Sequence, residues 1–257
     1  MKKKDFFSPS FLMSYQKCPY AAVNNVFTSN DYTKFGELVH TLAEDYYQKP
    51  FDLTTVNTEE LLKSKEIYNG KFKKKIKNVI ENIPNFSTEG YEVFDIESRN
   101  TPKEYVHEFF NKRFMAVKLM SNGCGLRGAI DMLLKNDKEF KIIDFKSGSS
   151  KPDPFQVHLY GIMCAFAYKI MPEDMKMSCE FWMLESGKVH TYDITSELLE
   201  FNYQKFKDIV EEYNESFSLG EFKKTPSFKS CMFCKCACFE GRSYQSNFGE
   251  SKTVSGY

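Results

Sequence analysis

Two aspartates set in apolar sequence constrain this chain more than any other feature. Asp131 lies within Leu126 to Leu134, a stretch that otherwise reads as a largely buried strand. Asp144 closes a second strand, the run Phe140-Lys141-Ile142-Ile143. An ionised carboxylate inside such a strand is costly unless it is paired or metal-bound. Residues two apart on a strand share a face, so Asp144 and Lys146 belong to one site. A hairpin through Asn136-Asp137 would bring Asp131 beside Asp144. Neighbouring carboxylates repel each other unless a cation neutralises them. Oxygen ligands suit a hard divalent cation, Mg²⁺ or Mn²⁺, and a lysine beside that cation can orient water for attack on a phosphodiester. The competing reading is a strand-end salt bridge of Lys146 with Asp131 or Asp144.

The flanking sequence supplies layers for these strands. Ser8 can cap a helix begun by Pro9, with Phe11, Leu12, Tyr15 and Cys18 at helical spacing between Phe6 and Phe27. A second helix is expected over Lys34 to Gln48, where Phe35, Leu38, Val39, Leu42 and Tyr46 form one face. His40 and Glu44, four apart, point the same way on it. Glu59 to Asn82 reads as a further helix. Strands are expected over Tyr91 to Ile96, Phe109 to Leu119, Leu126 to Leu134 and Phe140 to Phe145, then a helix over Pro154 to Ile170. The pair Cys179 to Leu184 and Lys188 to Ile194 turns at Glu185-Ser186-Gly187, and a long helix over Ser196 to Phe217 follows. This order predicts an α/β or α+β arrangement, a sheet covered by helices. No repeat or Pro/Gly-rich hinge interrupts it, which favours one compact unit.

Charge narrows the function classes. Lys plus Arg and Asp plus Glu are 35 each, a formal net charge of zero. Global attraction to nucleic acid is therefore excluded, and any such site must be a local patch. One candidate is Lys63 to Lys77, with seven lysines and a single acid, Glu66. It is either a solvated helix face or an arm, centred on Lys73, Lys74 and Lys75, that contacts phosphates. No apolar run approaches the roughly 18 residues needed to span a bilayer. The basic start Met1 to Lys4 is not followed by an apolar signal core. These features predict a reducing cytoplasm, where the eight cysteines are not expected to form disulfides. Four of them, Cys231, Cys234, Cys236 and Cys238, fall within eight residues, a clustering that points to metal or cluster ligation. Cys124, Cys164 and Cys179 sit in apolar stretches and read as core.

Four short motifs occur in order: Gly36 to His40, Gly128 to Asp131, Asp144 to Lys146 and Gln156 to Tyr160. In these the chain resembles the PD-(D/E)xK nucleases of the RecB type, including CRISPR-associated iron–sulfur exonucleases and the AddB and RecB nuclease domains. Gly148 after the lysine matches the same pattern. With the flanking cysteines the resemblance covers Cys18 to Cys238. It implies a restriction-endonuclease-like core: a mixed central sheet flanked by helices, with a helical N-terminal portion and a C-terminal cysteine cluster. Residues 1–240 would form one nuclease domain, with a helical insertion over 34–90, the catalytic sheet over 91–195 and cluster-binding ends at 18 and 231–238. A polar tail, 241–257, would follow.

The resemblance also implies roles. His40, Asp131, Asp144 and the backbone carbonyl of Phe145 would bind Mg²⁺ or Mn²⁺. Lys146 would position the attacking water, and Gln156 and Tyr160 would order the site or contact DNA, while Glu44 would support His40. Cys18, Cys231, Cys234 and Cys238, with Cys236 as the alternative to Cys238, would hold a [4Fe–4S] cluster that staples the two ends of the chain. A structural Zn²⁺ on the four C-terminal cysteines is the other reading. The expected activity is a metal-dependent nuclease, an exonuclease on single-stranded DNA ends, in recombination, repair or CRISPR adaptation. A separate helicase or adaptation protein would be its partner, since no motif of a motor is present. Homo-oligomers are compatible with the resemblance. The rival reading is a catalytically silent module that binds DNA or protein with the same fold.

Overall fold

A computed structural model describes residues 2–24, 30–97, 100–109, 112–148, 151–227 and 231. Cys234, Cys236, Cys238 and the 241–257 tail lie outside the described residues, as do 232–233.

The N-terminal segment is broken where a single helix was expected. β1 (Phe6–Phe7) is followed by α1 (Pro9–Lys17) and α2 (Pro19–Asn24). Ser8 Oγ accepts from Phe11 N–H and caps α1. Pro19 explains the break, because its ring disfavours a helical residue before it, and Cys18 is extended (φ −161°, ψ 101°). α3 (Asp31–Gln48) is opened by a capping box between Asn30 and Thr33.

The expected helix over Glu59 to Asn82 is two helices, α4 (Thr58–Ser64) and α5 (Lys71–Asn82). Glu66 between them takes a left-handed backbone (φ 55°), and Ile67 N–H donates to Leu62 O. That pairing closes the end of a helix and redirects the chain.

Two mixed sheets follow. β2 (Glu92–Ile96), β6 (Met132–Lys135), β7 (Glu139–Lys146), β8 (Lys176–Met183) and β9 (Lys188–Ile194) form one, in that spatial order. β3 (Val106–Phe109), β4 (Lys112–Lys118) and β5 (Gly125–Gly128) join β1 in the other, ordered β1-β5-β4-β3. The expected strand over Phe109 to Leu119 is β4, preceded by the unexpected β3 that pairs with it, and the one over Leu126 to Leu134 is split at Ala129-Ile130-Asp131. The splay is needed because β5 pairs with β4 and β1, whereas β6 pairs with β2 and β7. β7 and β8 are parallel, joined by α6 (Phe155–Tyr168), the crossover such a pair requires. α7 (Ser196–Leu219) ends at Gly220 in the left-handed region.

The five-stranded sheet separates two apolar clusters. On one face Phe140 and Ile142 of β7 pack with residues of α1, α6 and α7. On the other, Ile143 and Phe145 pack with residues of α3 and α5. Alternation along β7 therefore places Asp144 and Lys146 on the α6 side, with Phe145 facing α3. No helix among the described residues is long and apolar enough to cross a membrane.

Candidate active site

The four motifs converge at the carboxyl end of β7. β5 and β6 splay apart at Asp131, so its carboxylate, 9% exposed, turns toward both α3 and β7. Its Oδ2 accepts from Phe145 N–H at 2.6 Å. Its Oδ1 lies 3.2 Å from His40 Nδ1, from the third turn of α3.

Asp144 and Lys146 share a face of β7 and form an ion pair. Gln156, at the start of α6, spans them. Its Oε1 accepts from Lys146 Nζ at 3.1 Å, and its Nε2 donates to Asp144 Oδ1 at 3.0 Å. Tyr160, one turn on, places its hydroxyl 3.3 Å from the same Nε2. Asp144 Oδ2 is buried and, although Lys146 lies against it, accepts no well-directed hydrogen bond.

Charge is dense here. Burial alone would lower the pKa of His40, but the Asp131 carboxylate beside it, with Asp144 and Glu44 behind, raises it to about 9. Burial pushes Asp144 up to about 6, against the pull of Lys146 and with the help of Asp131. Glu44, buried on α3, is pushed up to about 8 by burial and by a hydrogen bond shared with the Glu97 carboxyl.

Ligand atoms of His40, Glu44 and Asp131 lie within 4.8 Å of one another. One imidazole, two carboxylates and a buried carboxylate oxygen without a donor suit a hard divalent cation. Glu44 thus lies within reach of the same point as His40 and Asp131, closer in than the supporting role implied by the resemblance.

Glu97 escaped the reading of the sequence. It follows β2, takes a left-handed backbone (φ 49°), and its N–H donates to Asp131 O at 3.2 Å. The only signal for it was an acid directly after a strand, which is too common to single out. Asp95, 2% exposed, locks the segment after it by accepting from Asn100 N–H, Thr101 Oγ1 and Tyr168 OH.

The lysine arm is less available than its sequence suggests. Lys73 pairs with Glu59 at 2.8 Å, and Lys75 with Glu185 at 2.5 Å. Lys74 is exposed and makes no ion pair with a described residue. Of the cysteines, Cys124, Cys164 and Cys179 are buried core, and burial pushes the Cys179 thiol up to about 12. Cys18 and Cys231 are buried as well. The segment before Cys231 is bonded to the corner that carries Cys18: Tyr20 N–H donates to Lys223 O at 3.0 Å, and Thr225 Oγ1 to Lys17 O at 2.6 Å.

Comparison with known proteins gives the same fold. A profile of the PD-(D/E)XK nuclease superfamily matches residues 7–239. The Gene 69 protein of Mycobacterium phage L5 is 24% identical over 148 residues, 58% of this chain and 48% of that protein. Its counterpart in Mycobacterium phage D29 is 27% identical over 117 residues, 44% of this chain and 41% of that one. The matched segment thus spans less than half the length of these relatives. A crystal structure from Eubacterium rectale, described as a "putative exonuclease", superposes with a TM-score of 0.53 at 11% identity, covering 90% of this chain and 86% of that one.

Proposed function

The chain belongs to the PD-(D/E)XK nuclease superfamily, and from that premise we propose that it is a divalent-metal-dependent deoxyribonuclease that shortens DNA from single-stranded ends. The observation that carries this reading is the closed set Asp144–Lys146–Gln156 beside His40–Asp131, five side chains from four separate elements. A silent module would have no use for a lysine and two acids held together at this cost in burial.

His40, Asp131, Asp144 and the Phe145 carbonyl, with Glu44 in reach, would hold Mg²⁺ or Mn²⁺. That ion would supply Lewis acidity at the phosphate and a lowered pKa for water. Lys146, steadied by Gln156, places a positive charge where the attacking water and the scissile phosphate meet. Gln156 fixes the orientation of Asp144, and Tyr160 holds the amide of Gln156 from behind. Residues 1–240 act as one nuclease unit in this reading. The exonuclease description of the Eubacterium rectale protein supports exonuclease action, and the phage relatives support a cytoplasmic setting in a prokaryotic or infected cell.

A [4Fe–4S] cluster on Cys18, Cys231, Cys234 and Cys238 belongs to the same proposal. Its support is the burial of Cys18 and Cys231 and the bonding of residues 223–225 to the Cys18 corner. Brown colour lost on Cys18→Ser would bear it out. A colourless protein that keeps one zinc in Cys18→Ser would replace it with a local zinc site.

The decisive experiment incubates anaerobically purified protein with end-labelled single-stranded and duplex DNA, with and without Mn²⁺. Progressive shortening of the single strand, dependent on the metal and absent in Lys146→Ala, is expected. No cleavage of either substrate with Mn²⁺ or Mg²⁺ would overturn the reading.

A further inference from the structure

Two tyrosines at one corner of the molecule are presented to solvent. Tyr32, at the start of α3, is 61% exposed, and Tyr68, between α4 and α5, is 77% exposed. Tyr32 is not loose. Phe72 meets its ring edgewise at 5.4 Å, and Lys71 Nζ lies 4.1 Å from its centroid and 2.8 Å from its hydroxyl. Tyr68 stands close enough to Lys34 to act on its charge, and Lys34 pairs with Glu66 at 2.7 Å. The corner therefore sets rings beside Lys34 and Lys71, with exposed Lys74, in no ion pair with a described residue, three residues after Lys71 on α5.

This corner adjoins the candidate active site along two elements. On α3, Tyr32 precedes Gly36 by one turn and His40 by two, about 12 Å of helix rise. A Cβ at Gly36 would stand 3.5 Å from Ser147 Oγ, so this end of α3 lies on the residue after Lys146. On α5, Lys75, one turn after Lys71, pairs with Glu185, directly after Leu184, whose N–H donates to Lys146 O at 2.9 Å. A strand that approached Lys146 along α3 and α5 would pass this corner.

We propose that Tyr32 and Tyr68 form a stacking platform for the unpaired bases of single-stranded DNA that enters the site, with Lys71 and Lys74 meeting its phosphates. The inference rests on the nuclease reading and names the residues that would hold the single strand. Every base has a flat π-face, so an exposed, fixed aromatic ring holds single strands regardless of sequence. Paired bases are stacked on one another and cannot use it. The lysines add the local positive charge that a chain of zero net charge otherwise lacks.

The test measures fluorescence anisotropy of labelled oligo(dT), an abasic strand of equal length and a duplex, all in a full-length Lys146→Ala background that leaves DNA uncut. Stacking is worth about 1–3 kcal/mol per base, so Tyr32→Ala with Tyr68→Ala should weaken oligo(dT) binding by about tenfold or more. Tyr32→Phe with Tyr68→Phe should restore it. Abasic and duplex affinities should not change, and the melting temperature should stay near that of the parent. Unchanged oligo(dT) affinity, or equal losses on all three probes, would overturn the platform. The Tyr→Ala pair is also placed in the wild-type background and assayed on bis(p-nitrophenyl) phosphate, a phosphodiester too short to reach the corner. Hydrolysis at the wild-type rate alongside weakened oligo(dT) binding supports the platform. Absence of hydrolysis in the wild type bears on the nuclease reading, while the anisotropy result still decides the platform.

Discussion

The Asp131 carboxylate accepts a hydrogen bond from the backbone N–H of Phe145 at 2.6 Å, across the point where β5 and β6 part. This one contact ties the motif at Gly128 to Asp131 to the motif at Asp144 to Lys146. It holds Asp131 Oδ2 in place while leaving Oδ1 to His40. Phe145 itself faces the α3 cluster. The backbone of β7 thus anchors an acid on one side, while its side chains at 144 and 146 serve the other.

From this geometry, Asp144→Asn and Lys146→Ala should each remove metal-dependent DNA cleavage by orders of magnitude. Both should leave the fold intact, because each residue lies at the end of β7 and outside both apolar clusters. Single-turnover cleavage and circular dichroism check this. Near-wild-type rates in both variants would remove Lys146 and Asp144 from the proposed chemistry.

Much of this site was legible in the sequence because strand periodicity is local. Asp144 and Lys146 were put on one face by the two-residue repeat, whereas His40, Gln156 and Tyr160 entered through the resemblance of four short motifs. What was not legible depends on tertiary pairing. Nothing local says that Leu126 to Leu134 must break at Asp131, since the break follows from two sheets competing for its halves. Nothing local marks Glu97, whose position comes from a left-handed turn just after Asp95, which Tyr168, far away in sequence, holds by a hydrogen bond. The lysine run looked uniform, yet Glu59 and Glu185 had already claimed two of its members.

Glu44 and Glu97 should matter for metal affinity more than for folding. Their carboxyls share a hydrogen bond, and Glu44 lies within ligand distance of His40 and Asp131. Glu44→Gln keeps shape and hydrogen bonding but removes a negative charge. Titration calorimetry with Mn²⁺ should show affinity reduced by about tenfold or more, as losses around metal ligands commonly are. Glu97→Gln should give a smaller loss in the same direction. Unaltered Mn²⁺ binding in Glu44→Gln would leave His40, Asp131 and Asp144 as the relevant side-chain donors.

Of Lys73, Lys74 and Lys75, Lys74→Glu should weaken DNA binding most. It makes no ion pair with a described residue, so its charge is free for a phosphate, and its removal should lower the salt slope by about 1. Lys73→Glu and Lys75→Glu first break internal pairs with Glu59 and Glu185 and should act partly through the fold. Equal slopes for Lys74→Glu and wild type would make the helix face a solvated one.

His158 gives the stability a pH dependence of known sign. It is buried on α6, with Nδ1 3.3 Å from Asn202 Nδ2, and burial lowers its pKa below the ordinary 6.5. The folded chain therefore resists a proton that the unfolded chain accepts. Its contribution is present above pH 6.5 and is lost as pH falls, at no more than about 1.4 kcal/mol per pH unit. His158→Gln should flatten the fall in melting temperature between about pH 6.5 and 5. Parallel curves would mean that other groups carry it.

The three glycines of the motifs should respond differently to alanine. At Gly148 an added Cβ meets nothing within 4 Å, and at Gly36 it makes an ordinary contact with Ser147 Oγ at 3.5 Å. At Gly128 it would stand 2.8 Å from Cε1 of Tyr160, closer than real carbon atoms approach. That ring is 7% exposed and cannot swing clear without disturbing the core, so overpacking should cost roughly 1–3 kcal/mol. The effect should not stop at stability. Tyr160 is bonded to the amide of Gln156, which holds both Asp144 and Lys146. Pushing the ring therefore displaces the group that orients the acid and the lysine, while His40, Glu44 and Asp131 keep their places. Gly128→Ala should lower kcat more than it lowers Mn²⁺ affinity, since only Asp144 of the proposed ligands is bonded to Gln156, and the second change Tyr160→Leu should relieve the stability loss without restoring the rate. Gly36→Ala and Gly148→Ala should stay near wild type in both. A Gly128→Ala protein with normal kcat would show that the Tyr160 ring does not govern Gln156.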